Sequence, residues 1–198
     1  RGELLETDRD IARAELGLDD KPFILSMGGS LGAKAINDSM LEVIASRTQK
    51  NDCVFMHATG KDCKDFPERL AEKGVDLNNK NIIIRDYIDD MHRCLAAADL
   101  VICRAGASSL CEFQVMGKPS ILIPYPFATE NHQYHNAKAL ADKGAAILIE
   151  EKNLTPAVLM QHIDTLLESP GKLTQMGKAA KQMAVTDATS RIVKVIEG

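Results

Sequence analysis

The chain has 198 residues, enough for one large domain or two small ones, and its 45% hydrophobic and 26% charged residues are typical of a globular protein. A net charge of −4 without a basic stripe argues against nucleic acid as a partner. The longest apolar runs fall far short of the roughly 20 residues that cross a bilayer, and no signal peptide is expected. The five cysteines lack C-x-x-C spacing, which predicts free thiols in a reducing cytoplasm.

Six short apolar runs predict β-strands that alternate with helices. Residues 1–20 come first, a charged, helix-prone stretch that we interpret as a linker and leading helical segment before a domain at 21–198. The predicted strands cover 23–27, 53–57, 82–84, 99–103, 120–123 and 145–149. Helices are predicted at 156–167, 172–184 and 188–196, with Gly or Pro breaks at the first two junctions. This alternation predicts an α/β fold, a Rossmann-like doubly wound parallel sheet of about six strands.

The first strand runs into a glycine-rich turn, Gly28-Gly29-Ser30-Leu31-Gly32-Ala33, which a helical pattern follows. The spacing is not G-x-G-x-x-G, so the dinucleotide-binding fingerprint is absent from this turn. Small residues still allow backbone N–H groups at a helix N-terminus to approach a ligand.

The fourth strand ends in a second small-residue turn, Arg104 to Ser109, with Glu112 in the helix that follows. The first N–H groups of a helix lack intrahelical partners and carry partial positive charge, which suits a phosphate. Glu112, about one turn along, could accept hydrogen bonds from both ribose hydroxyls of a nucleotide. The alternative is an ordinary strand-to-helix turn with a solvated glutamate. Because ligands bind beyond the carboxyl ends of parallel strands, the convergence of these loops there favours the binding site.

Several polar residues have two interpretations at this stage. Asp89 and Asp90 precede a helical pattern and are interpreted as helix caps rather than metal ligands. Arg104 follows a buried strand, so it either pairs with phosphate or fixes its loop. His57 is interpreted as a structural histidine.

His132 and His135 are interpreted as exposed helix residues, since a third metal ligand is not evident. No metal site and no cofactor are predicted. A Ser-His-Asp arrangement and a nucleophilic cysteine do not emerge either.

The order of these motifs resembles the MurG family of UDP-N-acetylglucosamine transferases, glycosyltransferase family 28. The resemblance extends over nearly the whole chain, through the following stretches: Gly28–Ala33 with Asn37, His57–Gly60, Tyr87–Met91, Cys103–Ala107 with Glu112, Gln133–Ala137, Lys143–Ala146 and Asp187–Thr189. It implies a GT-B fold, in which two Rossmann-like domains enclose a cleft, and this chain resembles the C-terminal, donor-binding half. Ala58 departs from the glutamine of the family's His-Gln-Thr-Gly pattern, and an acidic residue before the Gln-x-x-Asn run is replaced or displaced.

The resemblance also implies roles for single residues. Ser30 and the backbone of Ala107, Ser108 and Ser109 would contact the diphosphate, and Glu112 the ribose. The backbone of Ile88 would bind uracil. Gln133 and Asn136 would hydrogen-bond the hydroxyls of the donor's sugar. Arg104 is included among the substrate-binding residues for its possible pairing with phosphate. Arg1 resembles the arginine that ends the interdomain linker and would approach the nucleotide.

The implied activity is hexosyl transfer: UDP-GlcNAc donates N-acetylglucosamine to lipid I, forming lipid II for peptidoglycan with inversion at the anomeric carbon. The catalytic base is expected in an N-terminal acceptor domain, which would also contact the membrane surface, so the chain alone is expected to be inactive. The full-length protein would be cytoplasmic and peripheral to the inner face of the bacterial membrane. Two alternatives stay open: the soluble subunit of a two-subunit UDP-GlcNAc transferase, or a non-catalytic sugar-nucleotide-binding module.

Overall fold

The computed structural model describes residues 7–185. Its strands are β1 (Phe23–Met27), β2 (Val54–Ala58), β3 (Ile82–Arg85), β4 (Leu100–Cys103), β5 (Ser120–Leu122) and β6 (Ala146–Leu148). Its helices are α1 (Arg9–Glu15), α2 (Lys34–Arg47), α3 (Phe66–Glu72), α4 (Met91–Ala97), α5 (Ala107–Met116), α6 (His132–Ala141), α7 (Pro156–Leu167) and α8 (Pro170–Gln182). Within this part of the chain, no helix is long and apolar enough to cross a membrane.

The six strands form one sheet in the order β3-β2-β1-β4-β5-β6, and every neighbouring pair is parallel. The predicted Rossmann-like doubly wound α/β fold is therefore confirmed, and each predicted strand lies within one residue of its observed bounds. The strand order reverses between β1 and β4, which pair directly. In such sheets the crevice at the reversal is where ligands bind.

Helices cover both faces of the sheet, so the strands are buried on both sides. One core contains Phe23 and Leu25 of β1 together with apolar residues of α1, α4, α5 and α6. The other contains Ile24 of the same strand with residues of α2, α3 and α7. The alternation of side chains along β1 thus supplies both cores, as expected for a central parallel strand.

The helix α1 belongs to the stretch predicted as a leading segment, and polar contacts join it to the sheet. Asp99, just before β4, accepts hydrogen bonds from the Phe23 N–H (2.8 Å), from Arg13 (3.2 Å) and from Arg9 (2.7 Å). Arg13 is itself buried. The division of the chain at residue 20 stays a prediction.

Two details of the predicted helices are wrong. The break at Pro170 does not delay α8, which begins at that proline rather than at residue 172, because proline is well tolerated in the first turn of a helix. Asp90 is at the N-cap position of α4 as predicted, but its carboxylate makes no capping hydrogen bond. It accepts one from Arg85 at 2.7 Å instead. The predicted helix 188–196 and the motif Asp187–Thr189 lie outside the described residues.

The turns after β1 and β2 touch through their backbones at two glycines. A Cβ on Gly32 would lie 2.2 Å from the Thr59 carbonyl oxygen, and one on Gly60 only 2.1 Å from the Gly32 nitrogen. Both glycines have positive φ, at +90° and +83°. These positions therefore require glycine for conformation and for space.

Substitutions at Gly60 and at Gly74 together separate the cost of the positive φ from the cost of the missing space. Gly74 has nearly the same φ, +79°, but a Cβ there would meet no atom within 4 Å. We expect Gly74→Ala to lower the free energy of unfolding by about 1 kcal/mol, from backbone strain alone. Gly60→Ala should lower it by about 3 kcal/mol, because overpacking adds to the strain. Urea denaturation of both variants measures the difference, and equal losses would contradict the close backbone contact.

Candidate functional site

The glycine-rich turn after β1 places the N-terminus of α2 at the carboxyl edge of the sheet, and no side chain caps this N-terminus. Ala33, at the N-cap position of α2, has extended backbone angles and no side chain that caps the helix. A Cβ on Gly28 would lie 2.3 Å from the Ala33 nitrogen, so glycine lets the turn fold back on itself. Ser30 is exposed at the turn. The first N–H groups of α2 are thus left for water or a ligand.

A second open N-terminus follows β4. Gly106 is at the N-cap position of α5 and, lacking a side chain, supplies no capping hydrogen bond. Ala107 and Ser108 are exposed and Ser109 is half-buried, so the first turn is accessible. Glu112 is the sixth residue of this helix, about 7.5 Å along its axis from the first. That distance keeps the phosphate-and-ribose interpretation geometrically reasonable.

Both N-termini border one cavity of about 530 Å³ at the point where the strand order reverses. Its lining includes the Gly28–Gly29 turn, the start of α2 and Gly106 at the start of α5. Three predicted binding residues also line it: Arg104, Ser109 and Gln133. The other predicted residues that the structure describes lie outside this lining: Ser30, Ile88, Ala107, Ser108, Glu112 and Asn136. Arg1 lies outside the described residues.

The side chains of Gln133 and Asn136 join two loops of the site. The Gln133 Oε1 accepts hydrogen bonds from the Ala105 N–H (3.2 Å) and from the Tyr125 N–H (3.0 Å). Asn136 Nδ2 donates to the Ala105 carbonyl at 3.2 Å. The two amides are one turn apart on α6, as the sequence predicts. Part of their hydrogen-bonding capacity therefore fixes backbone, and of the two residues Gln133 also lines the cavity.

The contacts of Arg104 favour its loop-fixing alternative. Its Nη1 donates to the carbonyls of Ile123 and Pro124, both at 3.2 Å, while Nη2 forms an ion pair with Glu151. Its guanidinium lies 5.4 Å from the centre of the Tyr125 ring. The side chain is only 14% exposed. Arg104 thus connects the loops that follow β4, β5 and β6.

Ile88 lies in the short turn between β3 and α4. Arg85 and Asp90 form an ion pair across this turn at 2.7 Å. Partial burial raises the pKa of the Asp90 carboxyl, but the charge of Arg85 and hydrogen bonds outweigh it, so the pKa lies below its usual value. Ile88 as a whole residue is only 3% exposed. Its predicted backbone contact with uracil stays a prediction.

His57 has the surroundings of a structural histidine. It is fully buried, its Nδ1 lies 2.8 Å from the Ser26 hydroxyl, and its ring packs 4.7 Å from that of Phe66. Burial lowers the pKa of its imidazole to about 3, only partly opposed by the contact with Ser26. The ring is therefore neutral at physiological pH. His132 and His135 are exposed on α6, and within residues 7–185 no three His, Cys, Asp or Glu side chains form a group able to hold a metal ion.

Sequence reasoning missed Glu151 and the role of Tyr125. Glu151 follows β6 in a short 3-10 turn (Glu151–Asn153), and only the pairing of distant loops brings it to Arg104. Tyr125 lies in the proline-containing loop after β5, and its backbone N–H donates a hydrogen bond to Gln133. A buried arginine after a strand is a signal that an acidic partner exists, although it does not identify which one.

Comparisons with known proteins agree on one family. Residues 23–192 match the family model of the glycosyltransferase family 28 C-terminal domain. The UDP-N-acetylglucosamine–N-acetylmuramyl-(pentapeptide) pyrophosphoryl-undecaprenol N-acetylglucosamine transferase of Desulforamulus reducens is 44% identical over all of this chain and 54% of its own length. The Acetivibrio thermocellus protein of the same name is 45% identical, with 100% of this chain and 53% of the relative covered.

A solved structure agrees with these relatives. The crystal structure of Acinetobacter baumannii MurG superimposes with a TM-score of 0.77 and 35% identity, over 98% of this chain and 54% of that one. The chain thus spans about half the length of the relatives that it matches, and its sheet is the Rossmann-like fold of a GT-B half. The chain belongs to glycosyltransferase family 28, of which it carries the C-terminal domain.

Proposed function

We propose that this chain is the donor-binding half of an inverting transferase that moves N-acetylglucosamine from UDP-GlcNAc to lipid I, forming lipid II. The names of its relatives support the donor and the undecaprenol-linked acceptor. The remaining half of the protein would supply the acceptor site and the contact with the membrane surface, at the inner face of the bacterial membrane. The alternatives, a separate subunit or a binding module without transfer, differ in what that other half does.

One observation carries the proposal: the uncapped N-termini of α2 and α5 open into the same cavity. When the glycosidic bond breaks, negative charge develops on the UDP leaving group. Fixed N–H groups and helix dipoles directed at that diphosphate stabilise its charge, the task that a divalent cation performs in other transferases. Because these groups are already in position, they do so without reorganising. This would lower the barrier to departure of the nucleotide.

Within this proposal each predicted residue has a defined task. The backbone N–H groups of residues 107–109, with Ser30, bind the diphosphate, and the backbone of Ile88 binds uracil. Glu112 accepts hydrogen bonds from the ribose hydroxyls. Gln133 and Asn136 contact the sugar with the amide capacity that their loop contacts leave. A contact by Arg1 belongs to the proposal too, although Arg1 lies outside the described residues.

The base that deprotonates the acceptor hydroxyl is assigned to the other half. Among the described residues that line the cavity, the one acidic side chain is Glu151, and its carboxylate is paired with Arg104. A general base must be free to accept a proton from the attacking hydroxyl. This pairing makes Glu151 a poor candidate for that task.

The 198-residue chain alone should bind the donor nucleotide but should not transfer its sugar. We expect UDP and UDP-GlcNAc to bind in EDTA with unchanged affinity, because backbone N–H groups take the place of a cation. We expect no transfer to a lipid I analogue until the N-terminal half is restored. Calorimetry and a radiolabelled transfer assay measure the two. Binding that requires magnesium, or transfer by this chain alone, would contradict the proposal.

The ribose contact is tested at Glu112. Glu112→Ala should weaken UDP binding by about 1–3 kcal/mol, the usual loss for a charge-assisted hydrogen bond. The loss should be smaller for 2′-deoxy-UDP, since that ligand keeps only one of the two hydroxyls that Glu112 would bind. Calorimetry with both ligands, and a melting curve as the control for folding, give the comparison. Equal losses for the two nucleotides would assign Glu112 to the fold.

The sugar contact is tested at Gln133 with a variant that keeps its acceptor oxygen. Gln133→Glu retains an oxygen for the N–H groups of Ala105 and Tyr125 but removes the amide donor. Its added charge should weaken both sugar nucleotides alike, so the informative quantity is the affinity ratio of UDP-GlcNAc to UDP-GalNAc, epimers at the 4-hydroxyl. We expect that ratio to fall towards one.

The control for this experiment is Gln133→Ala, which should also lower the melting temperature and weaken UDP itself, because both loops lose their hydrogen-bond acceptor. An unchanged ratio in Gln133→Glu would assign sugar recognition to Asn136 or to the other half of the protein.

A further inference from the structure

Glu151 brings a negative charge into a cavity suited to an anion. It lines the cavity together with Arg104, and its carboxylate pairs with the Arg104 Nη2. The Glu151 side chain is 26% exposed and that of Arg104 is 14% exposed. Water therefore screens these charges less than it screens charges on the open surface.

The charge balance of the cavity depends on this one carboxylate. Its charged lining residues in the described chain are Lys34, Arg104 and Glu151. Lys34 is 88% exposed and pairs with Asp38 outside the cavity. Glu151 neutralises Arg104. The remaining positive potential at the diphosphate position then comes from the helix N-termini and hardly from the guanidinium.

Arg104 keeps its position by contacts other than that ion pair. Its Nη1 donates to two carbonyls, and its guanidinium stacks near Tyr125. Removing the charge of Glu151 would therefore leave the guanidinium near the cavity with its positive charge uncompensated. The nearby diphosphate, which carries two or more negative charges, would gain an attractive partner and lose a repulsive one.

We infer that Glu151 limits the affinity of this site for the nucleoside diphosphate and so favours release of the nucleotide product. This rests on the proposed function. Transfer converts a sugar nucleotide into a diphosphate with an additional negative charge, so Glu151 repels the product more than the donor. Glu151 sets the affinity of the site through its charge, and it performs no chemical step.

The test compares Glu151→Gln with Glu150→Gln in the 198-residue chain. Glu150 is the preceding residue, pairs with Lys152 at 3.1 Å and does not line the cavity, so its variant is a matched control for the loss of one charge. The ligands are UDP and uridine, which share the base and the ribose but differ in charge. Calorimetry is run in low salt and in 1 M sodium chloride.

We expect Glu151→Gln to bind UDP about three- to tenfold more tightly in low salt, the size of a unit-charge interaction at several ångströms in a partly screened site. The gain should shrink in high salt. Affinity for uridine should stay within about twofold, as should the affinity of Glu150→Gln for UDP. Glu151→Asp keeps the charge and should show no gain.

Three results would overturn the inference. If Glu151→Gln binds UDP as the unchanged chain does, or more weakly, Glu151 only braces Arg104. If Glu150→Gln gains as much, the effect belongs to the overall charge. If the unchanged chain binds neither UDP nor uridine, the proposed function is wrong, and the inference that rests on it is wrong too. That outcome is distinct from the first two.

Discussion

The direct pairing of β1 with β4 is the constraint on which the site depends. Successive connections on one side of this pair run towards β2 and β3, and on the other side towards β5 and β6. The turns after β1 and β4 therefore lead to helices on opposite faces of the sheet, α2 on one and α5 on the other. Between them the carboxyl edge stays uncovered, and both helices begin there with open N–H groups. The topology thus creates a cavity bordered by two helix N-termini, the arrangement that we propose for diphosphate binding, before any side chain contributes.

Side chains then hold the loops around that cavity at fixed positions. Gln133 binds backbone N–H groups from the loops after β4 and β5, and Arg104 binds two carbonyls of the loop after β5 and a carboxylate of the loop after β6. Loops that carry function need such ties, because their own backbone lacks the regular hydrogen bonds of a sheet or helix. The polar residues of this site are thus as important for geometry as for contact with a ligand. A substitution at Gln133 changes both the loop geometry and any contact with a ligand. The informative variant is therefore Gln133→Glu, which retains an acceptor oxygen.

The sequence was sufficient for the fold because the strands are short apolar runs separated by helices with clear periodicity. Small-residue turns likewise identified both helix N-termini, since such residues after a buried strand allow the chain to turn sharply into a helix. The partners of Arg104 and Gln133 could not be predicted, because they are set by which loops become neighbours at the sheet edge. Glu151 illustrates the limit: it lies 47 positions after its partner Arg104, and only the order β4-β5-β6 brings its turn to the cavity. Asp90 was misjudged for a related reason, since the cap position was predicted correctly and the competing Arg85 was not considered.

Under the proposed function, helix dipoles bind the diphosphate, and this has a consequence for the arginine beside them. A helix N-terminus supplies a modest positive potential directed along the helix axis. An unpaired guanidinium in a partly buried cavity supplies a stronger positive potential. A transferase must hold its donor long enough to react and then release a leaving group that carries more charge than the donor did. Arg104 links three loops, and its charge is paired with Glu151. Under our proposal this pairing removes most of the attraction of Arg104 for phosphate, so the charge that assembles the site is separate from the charge that would bind the ligand.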